Sequence, residues 1–319
     1  MRRTSARYEL VGAAVTLVAA VTLGGAAAAD ARPAAPRAAA SSPIGYGAGT
    51  TGGAGGDTVT VSDADAFTAA VQSDEPLTVK VAGTIKLDDM TKVAGNKTVV
   101  GVGTSGKITG SGLNVSKVSN VIIRNLTVSG SDDDDINVQY SSHVWIDHND
   151  VSDAYDGGID IKHGSDLVTV SWNRMHDQDK NMLLGHSDSN ASEDTGKLHV
   201  TYDHNWFEGT TQRNPRVRFG NPVHVLNNYF SDIGSYGVAS TENAGVLVEG
   251  NYFENTEDPF HRGEAASDPG ALAARNNYFV NSGSGEAGGT VAAIPYSYTA
   301  DSASTVKSLV TAGAGVGKI

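Results

Sequence analysis

Cysteine is missing from all 319 residues. No disulfide can staple such a chain and no thiolate site for zinc can form, so a large or repetitive core, or bound metal, must hold the fold. Long apolar runs are missing as well. The one extended stretch, Leu10 to Leu23, is diluted by glycine, alanine and threonine and falls short of the roughly 20 strongly apolar residues of a membrane span. It fits an export signal instead, because Arg2, Arg3 and Arg7 precede it, and Gly24, Gly25 and an alanine run ending at Asp30 follow. We expect a signal peptide over residues 1–29, a disordered leader rich in Ala, Pro and Ser over 30–43, and one folded domain over 44–319. The mature protein is then expected to be secreted, extracellular, monomeric and free of the membrane. The Arg2-Arg3 pair leaves the export route open.

Positive charge is also scarce. Lys and Arg number 23 against 36 Asp and Glu, a formal charge of −13, and loss of residues 1–29 removes three arginines and one glutamate to give −15. Nucleic acid is excluded as a partner on that balance. A polyanionic substrate would need a local cluster of cations or a bridging metal.

What the chain does have is a repeat. Short, mostly β-prone runs close on Asn125, Asn149, Asn173, Asn205, Asn228, Asn251 and Asn277, at spacings of 24, 24, 32, 23, 23 and 26 residues. Periods of this size mean stacked units. The runs are rich in Val, Ile and Tyr, are separated by Gly, Asn, Asp and Ser, and show no helical period, which leaves a parallel β-helix as the best fit. Asparagines at one fixed turn can stack into a hydrogen-bonded ladder. The 32-residue step marks an insertion near Gly185 to Thr195, and insertions in solenoids form loops on one face. Ser62 to Gln72 reads as a short helix with Ser62 as N-cap, covering one end of the core, and Ser302 to Thr311 reads as another.

Four consecutive aspartates, Asp132 to Asp135, precede one repeat, and Tyr155-Asp-Gly-Gly-Ile-Asp-Ile-Lys162 follows a coil later. Asp156 and Asp160 share a face of an extended strand, and adjacent coils lie about 4.8 Å apart, so carboxylates from two coils can converge. Crowded carboxylates repel or hold protons unless cations intervene, and hard oxygen donors in this number suit Ca2+. The histidines show no H-E-x-x-H spacing for zinc.

Trp145-Ile-Asp-His148, Asp156-Gly-Gly-Ile-Asp-Ile-Lys162, Val170-Ser-Trp-Asn173 and Arg213-Asn-Pro-Arg-Val-Arg218, in that order, resemble the signature blocks of the pectate lyase superfamily. The resemblance spans Ile44 to the C-terminus. It implies a right-handed parallel β-helix and calcium-dependent β-elimination of polygalacturonate, the galacturonan of pectin, with Ca2+ bridging protein and substrate carboxylates. Carried over by position, it implies calcium ligands at Asp134, Asp156 and Asp160 with Asp132 as an additional one, a catalytic base at Arg213, and substrate contacts at Lys180, Arg218 and Lys162. Position 156 is often glutamate in that family. Asp147, His148 and His204 are expected to support the fold, and Arg216 has no firm counterpart.

The chemistry asks for such residues. Elimination removes the C5 proton beside a uronate carboxylate and expels the C4 oxygen, so cations must stabilise an enolate-like transition state. An arginine ordinarily stays protonated; a basic Arg213 needs neighbouring cations, and activity should then rise into alkaline pH. Pectin lyase action on methyl-esterified substrate is the nearest alternative and would not need the aspartates. Hydrolysis by a polygalacturonase-type site is a second, but Gly-His-Gly and Arg-x-Lys blocks are absent. A non-enzymatic, calcium-stabilised adhesin would not require Lys180, Arg213 and Arg218 together.

Overall fold

The computed structural model describes residues 42–319. The expected export signal and all but the end of the leader lie outside the described residues. Pro43, the last residue of that leader, is buried, because Thr169 Oγ1 donates to the carbonyl of Ile44 at 2.6 Å and pins the chain there.

Among the described residues the strands form three parallel sheets of ten, eight and nine strands, each complete coil giving one strand to each sheet. The repeat sets the register. Val99, Ile123, Ile146, Val170, Tyr202, Val225 and Val248 lie side by side along the ten-stranded sheet and are all fully buried. In the nine-stranded sheet the same inward column changes from Val151 and Met175 to Phe207, Phe230 and Phe253, whose rings stack at 4.9 and 4.5 Å. Burying each such side chain contributes about 1.5–3 kcal/mol. Parallel pairing from coil to coil therefore replaces the staples that cysteine would supply.

The asparagine ladder forms, with one correction of phase. Nδ2 of Asn149, Asn173, Asn205, Asn228 and Asn251 donates to Oδ1 of the next member, ending on Asn277, at 2.9–3.1 Å. Asn125 is not its first rung. Leu126 holds that place, its N–H donating to Asn149 Oδ1, while Asn125 sits one residue earlier in a column of left-handed backbone with His148, Trp172, His204, Asn227 and Gly250. Asparagine tolerates that conformation better than most residues, so it marks both columns.

The first helix is Ala64–Gln72, and its N-cap is Asp63 rather than Ser62: Asp63 Oδ1 accepts from the Ala66 N–H at 2.9 Å. Its Phe67 and Val71 are fully buried in the main core. The C-terminal helix, Ala303–Gly313, buries Val306 and Val310 against Tyr229 beside Trp206 and Tyr252. The N-terminal end of the described chain and the segment around Tyr296 both run over the outer face of the ten-stranded sheet. Tyr46 N–H donates to Thr201 Oγ1, Tyr296 lies 2.7 Å from the same oxygen, and the two tyrosine rings meet edge to face at 5.1 Å. The eight-stranded sheet instead turns Asn137, Asp160, Lys162, Arg216 and Arg218 outward between buried Val138, Ile159, Ile161 and Val217. No described helix is long and apolar enough to cross a membrane.

Candidate active site

Alternation along four neighbouring strands of the eight-stranded sheet builds the site. On Ile159–Lys162, Ile159 and Ile161 face the core, which forces Asp160 and Lys162 outward. Asn137 lies beside Asp160 and Gln139 beside Lys162 on one flanking strand. On the other side Leu183 pairs with Arg216, so Arg216 and Arg218 fall on the same outer face. Asp134, Asp156, Lys180 and Arg213 occupy the turns that lead into successive strands, and Lys180 bridges both Gly157 and Gln212 in adjacent coils.

Asp133, Asp134 and Asp156 each offer a carboxylate oxygen, all within 4.8 Å of one another. Asp134 is buried; Oδ1 accepts from the Gly157 N–H at 3.0 Å and Oδ2 from Lys162 Nζ at 2.6 Å. Asp160, also buried, accepts from the Leu183 N–H at 3.0 Å, while its Oδ2 lies 3.4 Å from Lys162 Nζ and has no hydrogen-bond donor. Asp156 pairs with Lys180 at 2.7 Å. Asp132 points elsewhere, accepting from Ser111 Oγ at 3.1 Å. Asp133 stands in the cluster without having been singled out from the sequence. It belongs to the same run of four, but the direction each carboxylate takes in that turn has no signature in the sequence.

Electrostatics follow from this crowding. Burial, then the charge of Asp160, push the Asp134 carboxyl up to about 7 against the pull of Lys162. Asp160 is raised by burial as well, and burial takes the neighbouring Asp135 to about 9. Lys180 holds Asp156 below the usual carboxylate range through its hydrogen bond, against partial burial. Burial opposes the charge on Lys162, but Asp160 and Asp134 outweigh it and raise the ammonium above its ordinary value.

These donors fit a hard divalent cation. The donor set is carboxylate only, Asp160 Oδ2 is buried without a donor, and the space is kept by Gly157, where an added Cβ would lie 2.3 Å from Asp160 Oδ1 and 2.8 Å from Asp134 Oδ1. Asp134, Asp156 and Asp133 are placed to ligate it, with Asp160 beside them.

Arg213 has left-handed backbone, φ 59°, a conformation that is costly for a long side chain and that tends to mark functional positions. Its carbonyl accepts from the Met182 N–H at 2.7 Å. Its Nε is buried without a partner, and among the described residues it makes no ion pair, although Lys162, Lys180 and Arg218 all do. Arg218 binds Asp188. Arg216 reaches Ser267 Oγ at 2.6 Å and the Glu264 carbonyl at 3.2 Å.

Asp147 and His148 lie away from this face. Asp147 is on the ten-stranded sheet, bonded to Arg124 at 2.9 Å and accepting from Ser171 Oγ at 2.7 Å, with His148 Nδ1 2.8 Å away. His204 stacks on Trp172 at 4.3 Å and lies between Asp203 and Asp301.

Comparison with known proteins agrees with this geometry. The family model described as pectate lyase matches residues 14–319. The pectate trisaccharide-lyase of Bacillus licheniformis is 40% identical over 293 residues, covering 85% of this chain and 84% of that protein. Pectate lyase A of Emericella nidulans is 41% identical over 278 residues, covering 84% and 83%. A pectate lyase from a Bacillus species, solved in complex with trigalacturonate, superposes with a TM-score of 0.76 at 32% identity over 86% of this chain and 99% of that one. The major allergen of cedar pollen gives 0.78 at 27% identity over 86% and 92%. By the extent of these matches, this chain belongs to the pectate lyase family.

Proposed function

We propose that this protein is a secreted, calcium-dependent lyase that cleaves polygalacturonate by β-elimination, leaving a 4,5-unsaturated end. One observation carries the reading: a carboxylate cluster able to hold a cation lies two to three coils from Arg213, an arginine of the same region whose side chain makes neither an ion pair nor a hydrogen bond among the described residues. Bound Ca2+ would withdraw charge from the uronate carboxylate and so acidify the proton on C5. Asp134 and Asp156, with Asp133 in place of the expected Asp132, are the ligands we assign, Asp160 completing the set.

Lys180 and Lys162 hold acidic partners at 2.7 and 2.6 Å and are poised to exchange them for substrate carboxylates. Arg213 takes the C5 proton. Its buried Nε has no partner, so no protein group competes for that side chain. Lys180 and Arg218 orient the polymer and stabilise the enolate-like transition state. The retained aspartates favour de-esterified pectate over methyl-esterified pectin as substrate. We also infer that the coil is right-handed, the usual sense for parallel crossovers, and that the helix Ala64–Gln72 caps one end, which the complete burial of Phe67 and Val71 supports.

The test is ultraviolet absorbance of the unsaturated product during digestion of polygalacturonate across pH 7 to 10.5, with calcium and with chelator. Absorbance that grows only with calcium, rises with pH and is lost in Arg213→Ala is the expected outcome. Falling viscosity without absorbance would mean hydrolysis, and an acidic optimum would remove Arg213 as the base.

A further inference from the structure

The insertion between the strand Leu183–Leu184 and Leu198 is tied down at both ends to the coils that carry site residues. Glu193, on the short helix Ala191–Asp194, lies 2.9 Å from His163 Nδ1, and Asp194 Oδ1 accepts from the Gly164 N–H at 2.6 Å. That end is fixed to the coil carrying Asp160 and Lys162. At the other end Asp188 Oδ1 accepts from Arg218 Nε at 2.6 Å, and Arg218 Nη1 donates to the Gly185 carbonyl at 3.1 Å. Ser267, 79 residues further along the chain, donates its hydroxyl to both oxygens of Asp188 at 2.8 Å and accepts from Arg216 Nη2 at 2.6 Å.

The cover is one-sided. The Arg218 side chain is only 10% exposed, whereas that of Asp188 is 42% exposed. An arginine meant to grip a substrate carboxylate is thus already gripping one, along its Nε edge, and is shielded from the polymer by it. The acid, facing water, can be rehydrated as it leaves, so the contact is cheap to open.

We propose that Asp188 is an internal competitor for the uronate carboxylate: it occupies Arg218 in the free protein and swings aside when the polymer binds. The proposal rests on the reading of Arg218 as a substrate contact. Asp188 then sets the apparent affinity of this subsite without taking part in proton transfer, and Ser267 sets how firmly it is held.

Steady-state elimination on polygalacturonate at fixed calcium tests it. Asp188→Ala should lower KM by about two- to fivefold, the worth of one largely exposed ion pair, with kcat within about a factor of two. Ser267→Ala, which removes one of Asp188's anchors, should move KM the same way by less. In an Arg218→Ala background the Asp188→Ala effect should vanish. An unchanged or higher KM in a folded Asp188→Ala protein would overturn the proposal, since Asp188 would then hold Arg218 in place for substrate. If Asp188→Ala does not fold, the sign of the Ser267→Ala change decides alone. A wild-type protein that forms no unsaturated product sinks the lyase reading itself, and that control is read before any variant.

Discussion

Replacing Asp134 with asparagine should stabilise the calcium-free protein and shrink the stabilisation that calcium gives. The Asp134 side chain is 1% exposed, and its carboxyl is raised from 3.8 to about 7 by burial first and by Asp160 second. An acid whose folded value lies above its unfolded value binds its proton more readily when folded. Its contribution to stability is therefore complete below pH 3.8 and is lost as pH rises through about 7. At 1.36 kcal/mol per pKa unit, the metal-free protein at pH 8 carries a penalty on the order of 4 kcal/mol from this one site. Asparagine carries no charge and keeps an oxygen for the Gly157 N–H. Part of the gain is offset by the lost bond from Lys162, so the chelated variant should melt higher than its parent at pH 8 by less than that bound. With calcium at 100 times its Kd the parent should gain about 2.7 kcal/mol, or about 5–10 °C in a domain of this size, while the variant, lacking a carboxylate ligand, should gain less than half of this. Thermal melts followed by circular dichroism at pH 8, in chelator and in calcium, read both arms. A variant less stable than its parent in chelator, or one with an undiminished calcium shift, would refute the electrostatic account of the cluster.

His204 should impose an alkaline limit on the fold: burial opposes its charge, but Asp203 and Asp301 outweigh that and raise it to about 9, so its contribution is present below about 6.5 and lost as pH rises through 9. Hydrogen exchange around Asp301 should quicken between pH 8 and 10, and His204→Gln should abolish that step; parallel pH profiles for the two proteins would contradict this. Asn205→Ala removes bonds to Asn228 Oδ1 and the Val170 carbonyl and from the Asn173 N–H and Nδ2, leaving buried groups unpaired. Urea unfolding should show a loss of about 3–5 kcal/mol, and a loss under about 1 kcal/mol would mean that the neighbouring rungs re-pair.

A solenoid is readable from sequence because its contacts are periodic. Spacing of the asparagines sufficed to predict stacked coils, and the order of the motifs along the chain is the order of Asp134, Asp156, Lys180 and Arg213 along the axis. Phase was harder, since asparagine suits both the ladder and the left-handed turn beside it, which is why Asn125 falls one residue out of place. Contacts without a period left no trace. Ser267 meeting Asp188, Tyr296 meeting Thr201 and Asp133 turning toward Asp156 all depend on loop paths, and nothing local in the sequence fixes a loop path.

The ladder has a consequence for how such a protein can change. Asn173 and Asn205 bond at 3.0 Å across a 32-residue step, and Asn205 and Asn228 bond at 3.0 Å across 23 residues. The core does not register how much chain was spent outside it. Segments such as Gly185 to Thr195 can therefore be lengthened, shortened or exchanged between relatives as interchangeable parts, altering what lies over the outer face while the scaffold that aligns the carboxylate cluster and Arg213 stays as it was.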